Sequence, residues 1–182
     1  MPTRDLSKIV EEKFDELKTD WLNEVKKSEF LKEYKKFEDN EIAEKGVAVY
    51  KYLSEWLIRG ATHENAESYF EEVGATRFNE KFPLTEVHYA LYILKKIFWG
   101  KIDWRDKITG AFENTHTTKV INIFNDFFDL ANFSVTKGYL NELINSVKDD
   151  RKITKSDLKA LLTHGKHEWE ELDEDEFIWR HV

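Results

Sequence analysis

The sequence predicts an all-α fold, a single-domain bundle of six or seven helices for which globin-like packing is one open arrangement. Three observations carry this. Apolar residues recur at spacings of three and four along most of the chain, the signature of helices with one buried face. No segment shows sustained apolar–polar alternation bounded by turn residues, as a half-buried strand would. Only two Pro and seven Gly in 182 residues leave few places for tight hairpins.

The elements follow in order. Leu6, Val10, Phe14, Leu17, Trp21 and Val25 line one face of a first amphipathic helix. Lys8, Glu11, Glu12, Lys13, Asp15, Glu16 and Lys18 cover its other side. A short segment around Phe30, Leu31 and Tyr34 comes next. Asp39 and Asn40 are suited to cap a helix that carries Ile42, Gly46, Val49, Tyr50, Leu53 and Leu57, with Arg59-Gly60 as its stop. Thr62 caps a short helix with Ala66, Tyr69, Phe70 and Val73, which Gly74 is expected to end. Pro83 opens the most apolar helix, at a position where its missing N–H costs nothing. Leu84, Val87, Leu91, Leu94 and Phe98 form its buried stripe, with His88 and Tyr92 beside it. That helix stops near Gly100, and an irregular connection holds Trp104, Ile108, Gly110 and Phe112.

A long apolar-periodic region runs from Val120 through Phe124, Phe127, Phe128, Ala131, Val135, Leu140, Leu143 and Ile144 to Val147. It exceeds thirty residues and contains Gly138. A mid-helix Gly costs about 1 kcal/mol relative to Ala, so a bend or a close helix contact is expected there. After the polar break at residues 148–152, Thr154 caps a last helix through Leu158, Leu161 and Leu162 that ends at Gly165. The organisation is therefore residues 1–150 as the helical domain and 151–182 as a short helix with an acidic tail.

Composition excludes several kinds of chemistry. The absence of Cys removes disulfides, thiol nucleophiles and thiolate metal sites. The start of the chain lacks the apolar stretch of a signal peptide, and no apolar run approaches the ~20 residues of a membrane span. A cytoplasmic protein is expected. Of the net charge of −8, residues 168–182 hold −6, with seven acids and one base. An acidic chain without a basic stripe is a poor nucleic-acid binder, since phosphate neutralisation supplies most of that affinity. No membrane partner is expected either.

Candidate functional residues are few. Glu113 and His116 form the one Glu-x-x-His spacing, whereas a di-iron bundle needs two such motifs and two further carboxylates. His164 and His167 flank a glycine and lack a third ligand. His88, on the central helix, could ligate a haem iron or be a half-buried His bonded to Tyr139 or Glu86. A haem- or metal-binding protein using His88 or Glu113/His116 is thus one alternative. No nucleophile elbow or phosphate-cradling glycine loop occurs. In the tail, Trp169, Leu172, Phe177 and Trp179 stand among acids. This aromatic–acidic pattern suits partner docking, so an adaptor is a second alternative.

Two segments together resemble a known family. Arg77 precedes Phe82-Pro83-Leu84-Thr85-Glu86-Val87, and a later helix carries Phe127-Phe128-Asp129 followed by Gly138-Tyr139. This pattern resembles the helical N-terminal sensory domain of RsbR-type stressosome proteins, the RsbT co-antagonist family, over roughly Phe14 to Val147. The resemblance implies a non-enzymatic sensory module; separately, no cofactor is expected. The resemblance also implies a homodimer that signals to a protein partner, a kinase or a regulatory domain. Unlike that plan, no output domain is expected after Val147, where a short helix and an acidic tail follow. Arg77, Glu86, His88 and Tyr139 are polar groups available to line a small-ligand cavity, while Arg77 and Glu86 could instead form a structural ion pair.

Overall fold

The computed structural model describes residues 2–101, 113–148 and Leu162, with side chains described for 6–101, 118, 119, 121–146 and Leu162. The described residues form six α-helices and one 3-10 turn, with no strand among them. The helices are α1 (Pro2–Glu12), α2 (Phe14–Lys27), α3 (Asp39–Ile58), α4 (His63–Asn79), α5 (Leu84–Lys101) and α6 (Glu113–Lys148). The expected all-helical architecture is what the chain adopts. Trp104, Ile108, Gly110, Phe112, Thr154, Leu158, Leu161, Gly165, His164 and His167 lie outside the described residues.

The expected first helix is two. Lys13 leaves helical geometry, at φ −102° and ψ 2°, between α1 and α2. Each half is fastened separately to α3. In α1, Ser7 and Glu11 meet Ser54, whose hydroxyl donates to Glu11 Oε1 at 2.9 Å. In α2, Trp21 Nε1 donates to the Ile42 carbonyl at 2.7 Å. The Trp21 ring lies against Gly46, where a methyl group would run into it.

Helix α3 begins one residue before the expected caps. Glu38 and Glu41 make a reciprocal capping box, and Asp39 is the first helical residue. The Asp39 carboxylate is taken by Lys26 at 2.6 Å. The chain turns at Gly60, whose φ of +95° suits glycine alone.

Gly74 does not end α4, which continues to Asn79. Its role lies in packing. A Cβ on Gly74 would meet the Val135 carbonyl and come within 2.9 Å of the Tyr139 nitrogen. A Cβ on Gly138 would meet the Glu71 carbonyl. These two glycines let the backbones of α4 and α6 touch, which fulfils the expectation of a close contact at Gly138. Phe70 packs on Phe127 and Phe78 on Tyr139, so α4 and α6 run in the same direction.

Helix α5 runs opposite to α6. Phe98 stacks on Phe124 at 4.6 Å, Lys95 pairs with Asp129 at 3.0 Å, and His88 meets Thr136 at 2.8 Å. The buried core includes Leu17, Trp21, Tyr50, Leu53, Phe70, Phe82, Leu94, Phe98, Phe124, Phe127 and Phe128. A smaller cluster of Phe78, Tyr139 and Leu143 sits at the end of α4 and α6, with Leu84 and Leu162 packed against it.

Candidate functional site

The corner between α4 and α5 gathers Glu86, the one buried charged side chain among the described residues, with the partly buried Arg77, Lys45 and Glu80 close by. Helix α4 ends in a Schellman arrangement: the Phe82 N–H bonds the Arg77 carbonyl and the Lys81 N–H the Phe78 carbonyl, both at 3.0 Å. The geometry requires a left-handed residue, and Lys81 takes it at φ +66°. A lysine there costs about 1–2 kcal/mol that glycine avoids.

Phe82, fully buried, is the hub of this corner. Its ring packs edge-on against Tyr34 at 4.7 Å and stacks on Phe37 at 5.7 Å. Two cations face the same ring, Arg77 at 5.3 Å and Lys45 at 5.8 Å. Glu80 bridges them, bonding Lys45 at 2.8 Å and also Arg77. These neighbours hold the Glu80 carboxyl below its ordinary range although partial burial pushes it up. The Phe82 carbonyl, freed by the turn, accepts from the Tyr139 hydroxyl at 2.8 Å. Burial pushes the Tyr139 hydroxyl well above the ordinary phenol range, so it stays a donor.

Glu86, in the first turn of α5, is wholly buried. Its Oε1 accepts the backbone N–H of Glu33 at 2.7 Å and of Tyr34 at 3.1 Å. A buried carboxylate survives when such donors replace its water. It thereby holds the connection between α2 and α3 against α5. Burial raises the Tyr34 phenol above its ordinary value, while the neighbouring Arg77 guanidinium pulls it down. Arg77 and Glu86 do not form the ion pair the sequence suggested. Glu80 is three residues from Arg77 on the same turn and takes that place, whereas Glu86 is turned toward backbone donors.

His88 stands apart, on the seam between α5 and α6. Its partner is neither Tyr139 nor Glu86 but Thr136, 2.8 Å from Nε2. Thr136 gives its hydroxyl hydrogen to the Asn132 carbonyl at 2.7 Å. Nε2 therefore carries the proton that Thr136 accepts, and iron ligation through Nε2 would break this bond. Burial lowers the His88 pKa below its ordinary value. Tyr92, expected beside a buried stripe, is 54% exposed.

Of the four cavity candidates, Arg77 and Tyr139 contact Phe82, Glu86 is joined to it through Tyr34, and His88 lies elsewhere. Arg77 borders a cleft of about 260 Å³, shared with Tyr69, Glu72, Val73 and Thr76. A second cleft of about 350 Å³ runs between α2 and α5, with Asp20, Lys27, Ile93, Ile97 and Lys101 among its walls. Among the described residues no group of three His, Asp or Glu side chains could hold a metal ion. No helix there is long and apolar enough to cross a membrane. Glu113 and His116 lie in the first turn of α6, and their side chains are outside the described set. Trp169, Leu172, Phe177 and Trp179 also lie outside the described residues.

Sequence reasoning missed Lys45, Glu80 and Phe82 as members of this corner, and Thr136 as the partner of His88. The signal for the corner was present. Asn79-Glu80-Lys81-Phe82-Pro83 holds a helix stop without a glycine, so another residue had to take the left-handed position. No protein-family model, curated protein or solved structure matches this chain.

Proposed function

We propose that this chain is a non-enzymatic sensory and regulatory module that works through contacts with other protein chains. In this reading it is cytoplasmic, pairs with a second copy, and acts on a signalling partner such as a kinase or regulatory domain. One observation carries the reading. The buried polar groups tie helices to one another: Tyr139 links α6 to the α4–α5 corner, Glu86 links α5 to the chain after α2, and Glu80 links α4 to α3. Each reaches Phe82 at its carbonyl or through one neighbour: Tyr139 at the Phe82 carbonyl, Glu86 through Tyr34, and Glu80 through Arg77 and Lys45. A bundle so coupled can pass a change at one face to a partner at another. The stretches that resemble RsbR-type domains, Arg77, Phe82 to Val87 and Phe127 to Tyr139, supply many of these contacts, which supports the same reading.

The test is a double-mutant cycle in urea unfolding, pairing Tyr139→Phe with Glu86→Gln. Their side chains bind different backbone segments, and Phe82 and Tyr34 join those segments. Coupled helices give an interaction energy of about 0.5 kcal/mol or more. Additive effects refute the relay.

A further inference from the structure

We infer that two copies of this chain pair through the outer face of α6, antiparallel, with Phe133 of one copy against Ile144 of the other. The inference rests on the reading of the chain as an interaction module and deepens it by naming the surface and its occupant. Helix α6 is apolar on two opposite faces. Phe124, Phe127, Phe128, Ala131, Val135 and Tyr139 are buried in the core. Diametrically opposite, Phe133 is 62%, Leu140 37% and Ile144 50% exposed. Lys137 falls on the same line, so the outer stripe reads 133, 137, 140, 144, alternating steps of four and three. That is the seam spacing of paired helices. A surface helix of a lone domain keeps charge on this side.

Tyr92 widens the patch. The Lys95–Asp129 and His88–Thr136 contacts bracket it on one side of the α5–α6 seam, at the level of Phe133. The exposed parts of Tyr92, Phe133, Leu140 and Ile144 come to about 400 Å² per copy, the size of patch that marks an interaction site. Two copies would bury about 800 Å² from these residues alone. The flanking turns bring that toward the ~1,200 Å² where specific interfaces begin.

Charge chooses the occupant and the direction. The outward line carries Asp126 and Asp129 early and Lys137 in the middle of the helix. A parallel pair would set Asp126 against Asp126 and Lys137 against Lys137. The antiparallel pair centred between Lys137 and Leu140 keeps those like charges apart and sets Phe133 against Ile144 and Leu140 against the stem of Lys137, while Asp129 is held by Lys95 of its own copy. Lys137 is already neutralised by Glu71 of its own copy. Its methylenes can cover Leu140 without bringing a bare charge. This stripe is thus complementary to itself under a two-fold axis, as an isologous interface must be.

Sedimentation equilibrium of the full chain tests the pairing. A dimer is expected at micromolar concentration. Phe133→Glu with Leu140→Glu should weaken it at least ~100-fold, as removal of central apolar anchors does, with helicity unchanged by circular dichroism. The register has its own test, because the chain has no native cysteine. A mixture of Phe133→Cys and Ile144→Cys chains should form a disulfide between copies, and either variant alone should not. A wild-type monomer overturns the inference, including the case in which residues 163–182 of the same chain cover the face. So does a disulfide that forms with Phe133→Cys alone, or a dimer that tolerates both glutamates. The relay reading stands or falls separately on its double-mutant cycle, which needs no dimer.

Discussion

Replacing Gly74 or Gly138 with alanine sets two effects against each other and lets their sign decide. In a helix interior alanine is favoured over glycine by about 1 kcal/mol, so an unpacked site gains stability. Here the added methyl points into backbone: Gly74 toward Val135 and Tyr139, Gly138 toward Glu71. Backbone cannot rotate away as a side chain can, so α4 and α6 must separate. That loosens Phe70 on Phe127 and Phe78 on Tyr139, whose ring centroids lie 5.3 and 5.2 Å apart. Overpacking typically costs 1–3 kcal/mol, and lost contact between buried rings adds about 1 more. After the propensity gain, each variant should lose about 2 kcal/mol. The two methyls are relieved by the same separation, so the double variant should lose less than the sum. Gly100 is the control, since nothing lies within 4 Å of its Cβ position. Gly100→Ala should be neutral or stabilising by up to ~1 kcal/mol. Urea unfolding followed by circular dichroism at unchanged m-value reads all four. Stability at or above wild type in Gly74→Ala or Gly138→Ala would refute the close α4–α6 contact.

Other consequences are as direct. Lys81→Gly relieves a left-handed lysine and should stabilise by about 1 kcal/mol; a loss would mean that the Lys81 side chain matters more than its backbone. Glu86→Ala strips two backbone N–H groups of their acceptor and should cost about 3 kcal/mol, while Glu86→Gln keeps an acceptor and should cost about 1. Equal losses in thermal or urea melts would contradict that assignment. His88 has a folded-state pKa below the unfolded 6.5 because burial disfavours its charge. The unfolded chain then binds the proton first. His88's contribution is complete above the unfolded pKa and is lost as pH falls through 6.5 toward the folded pKa. His88→Gln should flatten the difference profile between pH 7 and the acid limb; parallel profiles for variant and wild type would contradict it.

Helical period alone revealed the fold class and most helix cores, because burial of one face in every element imposes it. Boundaries were less legible where tertiary contacts override local signals. Gly74 looks like a stop, yet the close approach of α6 demands glycine inside a continuing helix. The run from Leu6 to Val25 keeps one period across Lys13, and only the separate attachments to Ser54 and Ile42 reveal two helices. Three of the four polar residues singled out from the sequence gather around Phe82, since Arg77 and Glu86 flank the Phe82-Pro83 turn in the chain and Tyr139 follows Gly138, where α6 touches α4. Their partners were hidden because backbone groups make them: the Phe82 carbonyl and the N–H groups of Glu33 and Tyr34 leave no mark in side-chain identity.

The central claim is that the groups around Phe82 bind helices into one responsive unit. Amide hydrogen exchange at Glu33 and Tyr34 in Tyr139→Phe tests it most directly. Those amides are held by Glu86 and are joined to Tyr139 through Phe82 and Tyr34. If the unit is coupled, losing one hydroxyl on α6 speeds their exchange by about tenfold, equal to 1.4 kcal/mol of lost protection. Exchange that rises only at Phe82 and its neighbours, with Glu33 and Tyr34 as protected as in the wild type, would contradict it.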